Sequence, residues 1–203
     1  MNNEVTAIIC NRDEPSLIDS YNSVKDCVDK AIIMDCSKDR TMARSLEELN
    51  DPKLRVFYVP MNYRIQNYLA YSIIDTRWVL RWDSDFIARD IDKLLDKTDL
   101  KGNLAISCCV YQETPRSLLN DIYHKEVYLF TRSDELFKNH LLRLYTKSMG
   151  TRYACPWLPF PLSYKQINTD IVIAEHLTTK PKWRYDEKTR QIELSRGKNR
   201  LEL

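Results

Sequence analysis

The stretch Arg77-Trp78-Val79-Leu80-Arg81-Trp82-Asp83-Ser84-Asp85 combines a mainly apolar segment with two aspartates that follow it directly. A short, mainly apolar segment is typical of a strand that is buried on both faces of a parallel sheet. Ligands of such sheets bind beyond the carboxyl ends of the strands, which is where Asp83 and Asp85 stand. Side chains at i and i+2 of an extended backbone project to the same side. The stretch therefore predicts a buried strand that delivers two carboxylates to a ligand site.

A second Asp-x-Asp tripeptide, Asp90-Ile91-Asp92, follows a few residues later. It lies where a helix is predicted to begin, and carboxylates are favoured there because they cap the helix and complement its dipole. We therefore assign a ligand-binding role to Asp83 and Asp85 and a structural role to the second pair.

Three further strands are predicted before this one, the first two of them buried, and a helix is predicted after each of the three. The strands are Val5–Cys10, Ala31–Asp35 and Leu54–Val59, and the helices begin at Ser16, run through Arg44–Leu49 and run from Asn67 to Asp75. Alternation of this kind predicts right-handed crossovers and an α/β fold with a mostly parallel central sheet flanked by helices. Asn11, Asp35 and Arg64 follow these strands, so we expect them at the same sheet edge as Asp83 and Asp85.

The second half of the chain is less regular. Strands are predicted at Leu104–Tyr111, Val127–Thr131 and Asp170–His176, and a helix from Asp134 to about Ser148. His124 and His140 are predicted to lie in helical, polar surroundings and to be structural. We expect one domain over residues 1–203, with a nucleotide-binding half at 1–100 and an acceptor half at 101–203. Its last 24 residues, 180–203, form a basic tail with eight Lys and Arg against four Asp and Glu.

Composition excludes several classes of protein. Thirty-one Lys and Arg against 29 Asp and Glu leave a net charge of +2, which argues against a dedicated nucleic-acid binder. No apolar run approaches the roughly 18 residues that a membrane-spanning helix needs. The six cysteines form no Cys-x-x-Cys pair and no signal peptide is evident, which together predict reduced thiols in the cytoplasm. Three glycines in 203 residues argue against a Gly-rich phosphate loop.

The chain resembles the nucleotide-sugar half of GT-A glycosyltransferases, and most closely their large inverting group, family 2. The resemblance covers roughly residues 4–90 and is carried by Thr6–Arg12, by Ile32-Ile33-Met34-Asp35-Cys36-Ser37-Lys38-Asp39-Arg40-Thr41 and by Trp82–Asp85. The chain departs from the family pattern at Met34 and Cys36, which replace an Asp and a Gly, at Asn62–Asn67, and at Arg81 in an otherwise apolar strand. Its compact size also resembles small glycosyltransferase modules of large algal viruses.

The resemblance implies a GT-A fold and a role for each matching residue. Asp35 would accept a hydrogen bond from a ring N–H of uracil, and Asp83 would hold ribose or sugar hydroxyls. Asp85 and His176 would bind the metal, for which Mn²⁺ is expected and Mg²⁺ is the second choice because imidazole is among the ligands. The remaining residues expected to bind the nucleotide-sugar are Cys10, Asn11, Arg12, Arg64, Ser84 and Lys180.

The implied reaction is transfer of a sugar from a UDP-sugar donor to a glycan or glycoconjugate acceptor, with inversion at the anomeric carbon. Inversion requires a general base on the side of the sugar opposite the leaving UDP. Strict alternation along Asp170–His176 would place Asp170 and His176 on one face and Glu175 on the other. Asp170 is therefore the favoured base, ahead of Glu113 and Glu175.

Three other functions stay open. A sugar-phosphate nucleotidyltransferase shares the architecture but normally has a Gly-rich loop after its first strand, and no glycine precedes Gly102. The chain could also be a non-catalytic module that binds nucleotides or carbohydrates. A phosphodiesterase that uses Asp83 and Asp85 as metal ligands is the third alternative. The sugar, the acceptor and the oligomeric state are not determined by the sequence.

Overall fold

A computed structural model describes residues 3–61, 63–112, 123–136, 138 and 163–177 of the chain. The strands are β1 (Val5–Asn11), β2 (Lys30–Asp35), β3 (Leu54–Tyr58), β4 (Trp78–Asp83), β5 (Phe86–Ala88), β6 (Leu104–Gln112), β7 (Tyr123–Thr131) and β8 (Lys165–His176). The helices are α1 (Leu17–Val24), α2 (Thr41–Glu48), α3 (Tyr63–Ile73) and α4 (Ile91–Leu95). The strands and helices predicted for the first hundred residues are present, including the helix that begins at the second Asp-x-Asp pair, although α3 begins at Tyr63 rather than Asn67.

The strands form one eight-stranded sheet in the order β3-β2-β1-β4-β7-β6-β8-β5. Parallel pairing joins β3 to β2, β2 to β1, β1 to β4, and β6 to β8. Antiparallel pairing joins β4 to β7, β7 to β6, and β8 to β5. The sheet is thus parallel from β3 to β4 and mixed beyond β4, where the chain lacks regular strand–helix alternation.

Two apolar cores lie on opposite faces of the sheet. Ile9 and Ile33 pack on the face covered by α1, whereas Ile8 and Ile32 pack on the face covered by α3. Adjacent residues of each strand thus enter different cores, as expected for strands buried on both faces. No helix in the described residues is long and apolar enough to cross a membrane.

Several predicted boundaries need correction. The late strand begins at Lys165 rather than Asp170, and no strand was predicted for Phe86–Ala88, which forms β5. His124 lies in strand β7, so the predicted helical surroundings are wrong for it. Residues 134–136 and 138 are helical, and the remainder of the helix predicted to Ser148, together with His140, lies outside the described residues.

Candidate functional site

The carboxyl ends of β1 and β2 are joined by hydrogen bonds around the carboxylate of Asp35. Asn11 Nδ2 donates to Asp35 Oδ1 and to Ser37 Oγ, both at 2.9 Å. The backbone N–H of Ser37 donates to the same Asp35 oxygen at 3.2 Å. All three side chains are buried, and Asp35 is fully enclosed. One carboxylate oxygen therefore accepts two hydrogen bonds, and the other, Oδ2, has no hydrogen-bond partner among the described residues.

The loop that follows β1 is tied to the loop that follows β2. Asp13 adopts a φ of +53°, a conformation that aspartate tolerates better than most residues. Its backbone N–H donates to Ser37 Oγ at 2.7 Å, and its Oδ1 accepts the backbone N–H of Lys38 at 2.8 Å. These bonds fix the two loops relative to each other at the edge where a ligand would bind.

The side chain of Arg40 closes this cluster on its outer side. Arg40 directly precedes α2, and its Nε lies 3.6 Å from Asp35 Oδ2. Its guanidinium carbon lies 4.5 Å from the centre of the Tyr58 ring, and Nη2 donates to Glu47 at 3.1 Å. Arg40 and Ser37 both belong to the quoted motif, but no role was predicted for either of them. Strand and helix periodicity does not indicate where a long side chain such as that of Arg40 is directed, so this contact could not be predicted from it.

The predicted Asp-x-Asp forms the turn between β4 and β5, and α1 fixes its backbone. Ser20 Oγ donates to the carbonyl of Asp83 at 3.0 Å, and Ser16 Oγ lies 3.4 Å from the carbonyl of Ser84. Asp85 and Ser84 are buried, whereas the side chain of Asp83 is 31% exposed. Asp83 is therefore the carboxylate that a ligand could reach directly.

Strand β8 brings His176 to Asp85, as the sequence predicted for the late strand. Phe86 and His176 stand opposite each other in the antiparallel pairing of β5 with β8. The backbone N–H of Leu177 donates to the carbonyl of Asp85 at 2.7 Å. Nε2 of His176 lies 2.9 Å from Asp85 Oδ2, and both side chains are buried. The imidazole and the carboxylate thus form one contact at the carboxyl end of β4.

A buried arginine stands beside the Asp-x-Asp turn. Arg81, in β4, is paired with Glu126 of β7 and lies 3.4 Å from Asp83 Oδ2. Its guanidinium carbon is 5.0 Å from the centre of the Tyr128 ring. Desolvation raises the pKa of Asp83, the Arg81 charge opposes this, and the carboxylates of Asp85 and Glu126 raise it further. Glu126 could not be found from the sequence because it is 45 residues from Arg81.

The other residues predicted to bind the nucleotide-sugar are placed as follows. The thiol of Cys10 contacts Asn67 Oδ1 at 3.7 Å, and burial raises its pKa. Arg12 is exposed in the bend after β1, and Arg64 lies at the start of α3. Lys180 lies outside the described residues, as does Glu113.

The structure removes the argument that favoured Asp170 as the base. Ile173 and Ala174 are adjacent, yet both pack in the same core. The pairing of β8 with β6 shifts register between Asn168 and Ala174, because β8 contains extra residues there. Such bulges interrupt the alternation of faces. Asp170 is exposed and His176 is buried, so the two are not related by simple alternation. The assignment of Asp170 stays a prediction without that support.

Two solved structures have this architecture. The 4-diphosphocytidyl-2C-methyl-D-erythritol synthase of Anaerococcus prevotii superposes with a TM-score of 0.58, at 9% identity, over 94% of this chain and 96% of its own. Residues 1–349 of S. aureus TarS superpose with a TM-score of 0.51, at 14% identity, over 85% of this chain and 60% of that fragment. The chain has a nucleotide-diphospho-sugar transferase fold. At these identities the likeness establishes the fold alone.

Comparison of sequences adds nothing to this fold assignment. No model of a known protein family matches the chain, and no curated protein does so either. Membership of family 2 and the resemblance to viral modules therefore stay predictions.

The contact between Asp85 and His176 fits a divalent metal in a nucleotide-diphospho-sugar transferase fold. Neighbouring ligands of an octahedral ion, each about 2.1 Å from it, stand about 3 Å apart. The observed separation of 2.9 Å is a hydrogen-bond distance that also equals this spacing, so a cation could replace the shared hydrogen without a large movement of either side chain. The described residues contain no cluster of three or more ligating side chains. An ion held by one or two protein ligands takes its remaining ligands from substrate phosphates and water, as Mg²⁺ commonly does.

Replacing His176 with glutamine tests the imidazole as a ligand. Glutamine keeps a donor for Asp85 and much of the side-chain volume, so the melting temperature should stay within a few degrees. Mn²⁺ affinity in the presence of UDP should fall at least about tenfold, because a metal-binding nitrogen is lost. Calorimetric titration of Mn²⁺ measures this, with Glu175→Gln on the same strand as the control. A large fall in melting temperature with unchanged Mn²⁺ affinity would show that His176 is structural.

Proposed function

We propose that the protein is a metal-dependent glycosyltransferase that transfers a sugar from a UDP-sugar to a glycan hydroxyl, with inversion. The observation that supports this best is the Asp-x-Asp turn after β4, where His176 meets Asp85. In the parallel part of the sheet β1 separates β2 from β4, so Asp35 and Asp83 lie at one edge, on either side of Asn11 and Cys10. That edge offers a buried acceptor for a base and oxygen and nitrogen ligands for a cation beside a diphosphate.

Each part of the edge has a distinct task in this proposal. Asp35 accepts a ring N–H of uracil, and the partly exposed Asp83 accepts from ribose or sugar hydroxyls. Asp85 and His176 hold the cation, with Mn²⁺ preferred over Mg²⁺. When bound, the cation neutralises the charge that develops on the leaving UDP. Cys10, Asn11, Arg12, Arg64 and Ser84 border the nucleotide, and Lys180 of the basic tail would close over its diphosphate.

A general base must also take the proton of the acceptor hydroxyl as the new glycosidic bond forms. The base cannot be Asp83 or Asp85, because these stand on the phosphate side of the sugar. Asp170 remains our candidate on the acceptor side, and Glu175 is held by Arg89 in an ion pair.

The likeness to the diphosphocytidyl synthase favours a second candidate function, nucleotidyl transfer to a sugar phosphate. Against it stands the absence of glycine before Gly102, since such enzymes normally hold the triphosphate in a Gly-rich loop. A panel of nucleotide-sugars and nucleoside triphosphates, with and without Mn²⁺, separates the two in a thermal-shift assay. A ligand at a hundred times its Kd stabilises the native state by about 2.7 kcal/mol. A glycosyltransferase should respond to UDP-sugars, and a nucleotidyltransferase to a triphosphate.

Selectivity for uracil is expected to depend on Asp35. The unchanged protein should bind UDP more tightly than CDP, because N3 of uracil carries the hydrogen that Asp35 Oδ2 accepts and N3 of cytosine carries none. Asp35→Asn should reduce UDP affinity about tenfold, the cost of replacing a charged acceptor, and flatten the preference. Competition calorimetry measures both effects.

The matched control is Asp29→Asn, which changes an exposed aspartate just before the opposite end of β2. It should leave both affinities unchanged. Equal binding of CDP and UDP by the unchanged protein would remove Asp35 from the role of uracil acceptor.

A further inference from the structure

The cluster around Asp35 contains three buried polar atoms that have no hydrogen-bond partner within the described part of the chain. They are Asn11 Oδ1, Asp35 Oδ2 and Nε of Arg40. Folded proteins satisfy nearly all such atoms, so a group of three in one place requires an explanation. Two of them, Asp35 Oδ2 and Arg40 Nε, face each other at 3.6 Å, which is close enough for an ion pair but too long for a hydrogen bond.

Arg40 is the part of this cluster that can move. Asn11 and Asp35 are the last residues of two neighbouring parallel strands, and hydrogen bonds hold both side chains. Arg40 instead extends a long side chain from the residue before α2, and a quarter of that side chain is exposed. Its guanidinium is held from outside, by the ring of Tyr58 and the carboxylate of Glu47. Because Asp35 is fully enclosed, a molecule reaches its free oxygen most directly by displacing Arg40.

We propose that Arg40 is an exchangeable cover of the nucleobase subsite. In the ligand-free protein its guanidinium neutralises Asp35. On binding, a ring N–H of the base takes its place at Asp35 Oδ2, and Arg40 turns outward while it stays on Tyr58 and Glu47. The inference rests on the proposed function, since it concerns the subsite that Asp35 forms there. It adds that Arg40 competes with the ligand for Asp35, and that the return of Arg40 to Asp35 favours release of the nucleotide product.

The geometry distinguishes a cover from a permanent structural ion pair. A buried ion pair is stable only where good hydrogen bonds compensate the desolvation of both charges. The two facing atoms, Asp35 Oδ2 and Arg40 Nε, have no hydrogen bond to each other or to any other group of the described residues. Glu47, by contrast, accepts a well-formed hydrogen bond from the same guanidinium. Arg40 is thus bound more firmly to its exposed partner than to its buried one.

The test compares Arg40→Ala with the unchanged protein by calorimetric titration of UDP in the presence of Mn²⁺. Loss of the competing guanidinium should tighten UDP binding about fivefold, the effect of one weak ion pair. Inorganic pyrophosphate with Mn²⁺ is the control ligand, because it has no base to reach Asp35. Its affinity should stay within about twofold, whereas general loss of positive charge would weaken it. Arg44→Ala, an exposed arginine one turn along α2, should change neither affinity.

A second variant keeps the proposal testable if Arg40→Ala fails to fold. Tyr58→Leu leaves both charges in place but removes the ring on which the displaced guanidinium rests. UDP affinity should therefore fall while pyrophosphate affinity is unchanged, and an unchanged UDP affinity counts against the cover. Weaker UDP binding by Arg40→Ala would show that Arg40 contacts the ligand directly. Unchanged UDP binding would show that Arg40 does not compete with the base for Asp35. Either result overturns the cover while the proposed function stands. If the unchanged protein binds none of UDP, GDP, CDP and ADP with Mn²⁺, the proposed function and the cover both fail.

Discussion

Replacing Asp85 with alanine is expected to abolish metal-dependent binding of UDP and, with it, sugar transfer. Asp85 is buried, stands at the carboxyl end of β4 and contacts His176 at 2.9 Å. Without its carboxylate only the imidazole of that pair is left, and a neutral nitrogen holds a hard divalent cation poorly. The Kd for UDP in Mn²⁺ should rise at least about a hundredfold, equivalent to about 2.7 kcal/mol. In EDTA the variant and the unchanged protein should bind UDP equally weakly.

The chain offers a matched control for this substitution. Asp92 belongs to the second Asp-x-Asp pair and lies in the first turn of α4. Asp92→Ala changes the same residue type in the same tripeptide pattern but at the start of a helix rather than the end of a strand. It should leave UDP binding intact. Asp85→Asn repeats the first test with side-chain volume preserved. Metal-dependent UDP binding that survives in both Asp85 variants would exclude Asp85 from the metal site.

The placement of Asp85 and Asp35 was predictable because it depends on local pattern. Each follows a short apolar segment, and parallel strands bring their carboxyl ends to one edge. The return of His176 to Asp85 was predictable only from the resemblance to GT-A glycosyltransferases, which implies a late histidine beside the Asp-x-Asp. The pairing of β5 with β8 that makes the contact was not, because β5 has only three residues and no pattern of its own.

The features that sequence reasoning missed depend on contacts between distant segments. The pairing of Arg81 with Glu126 requires β7 to lie beside β4, which the alternation of strands and helices does not specify. The face on which Asp170 lies depends on extra residues in β8, which appear only once β8 is paired with β6. Arg40 reaches Asp35 through a flexible side chain, and no periodicity records its direction.

Replacing Arg81 with methionine is expected to lower the free energy of unfolding by about 3 kcal/mol, the usual cost of removing one partner from a buried ion pair. Methionine keeps much of the aliphatic volume beside Tyr128, so the lost free energy of unfolding reflects the missing charge rather than a cavity. Chemical denaturation monitored by tryptophan fluorescence gives the value. The control is Arg89→Met, whose pair with Glu175 is more exposed and should cost less than about 1 kcal/mol.

The loss of unfolding free energy in the Arg81→Met variant should depend on pH, and the direction of that dependence identifies the cause of the loss. Asp83 already has a raised pKa, and Arg81 is the main charge that lowers it, so removing Arg81 raises the pKa of Asp83 further. A carboxyl group whose pKa is higher in the folded than in the unfolded protein binds protons preferentially in the folded state, which gains stability as pH falls. The loss should therefore be smaller at pH 5 than at pH 8, and the Arg89→Met variant should show no such trend. If the two variants lost the same free energy of unfolding at both pH values, Arg81 would act as an ordinary surface charge. The carboxylates of Asp83 and Glu126 would then not need its positive charge beside them.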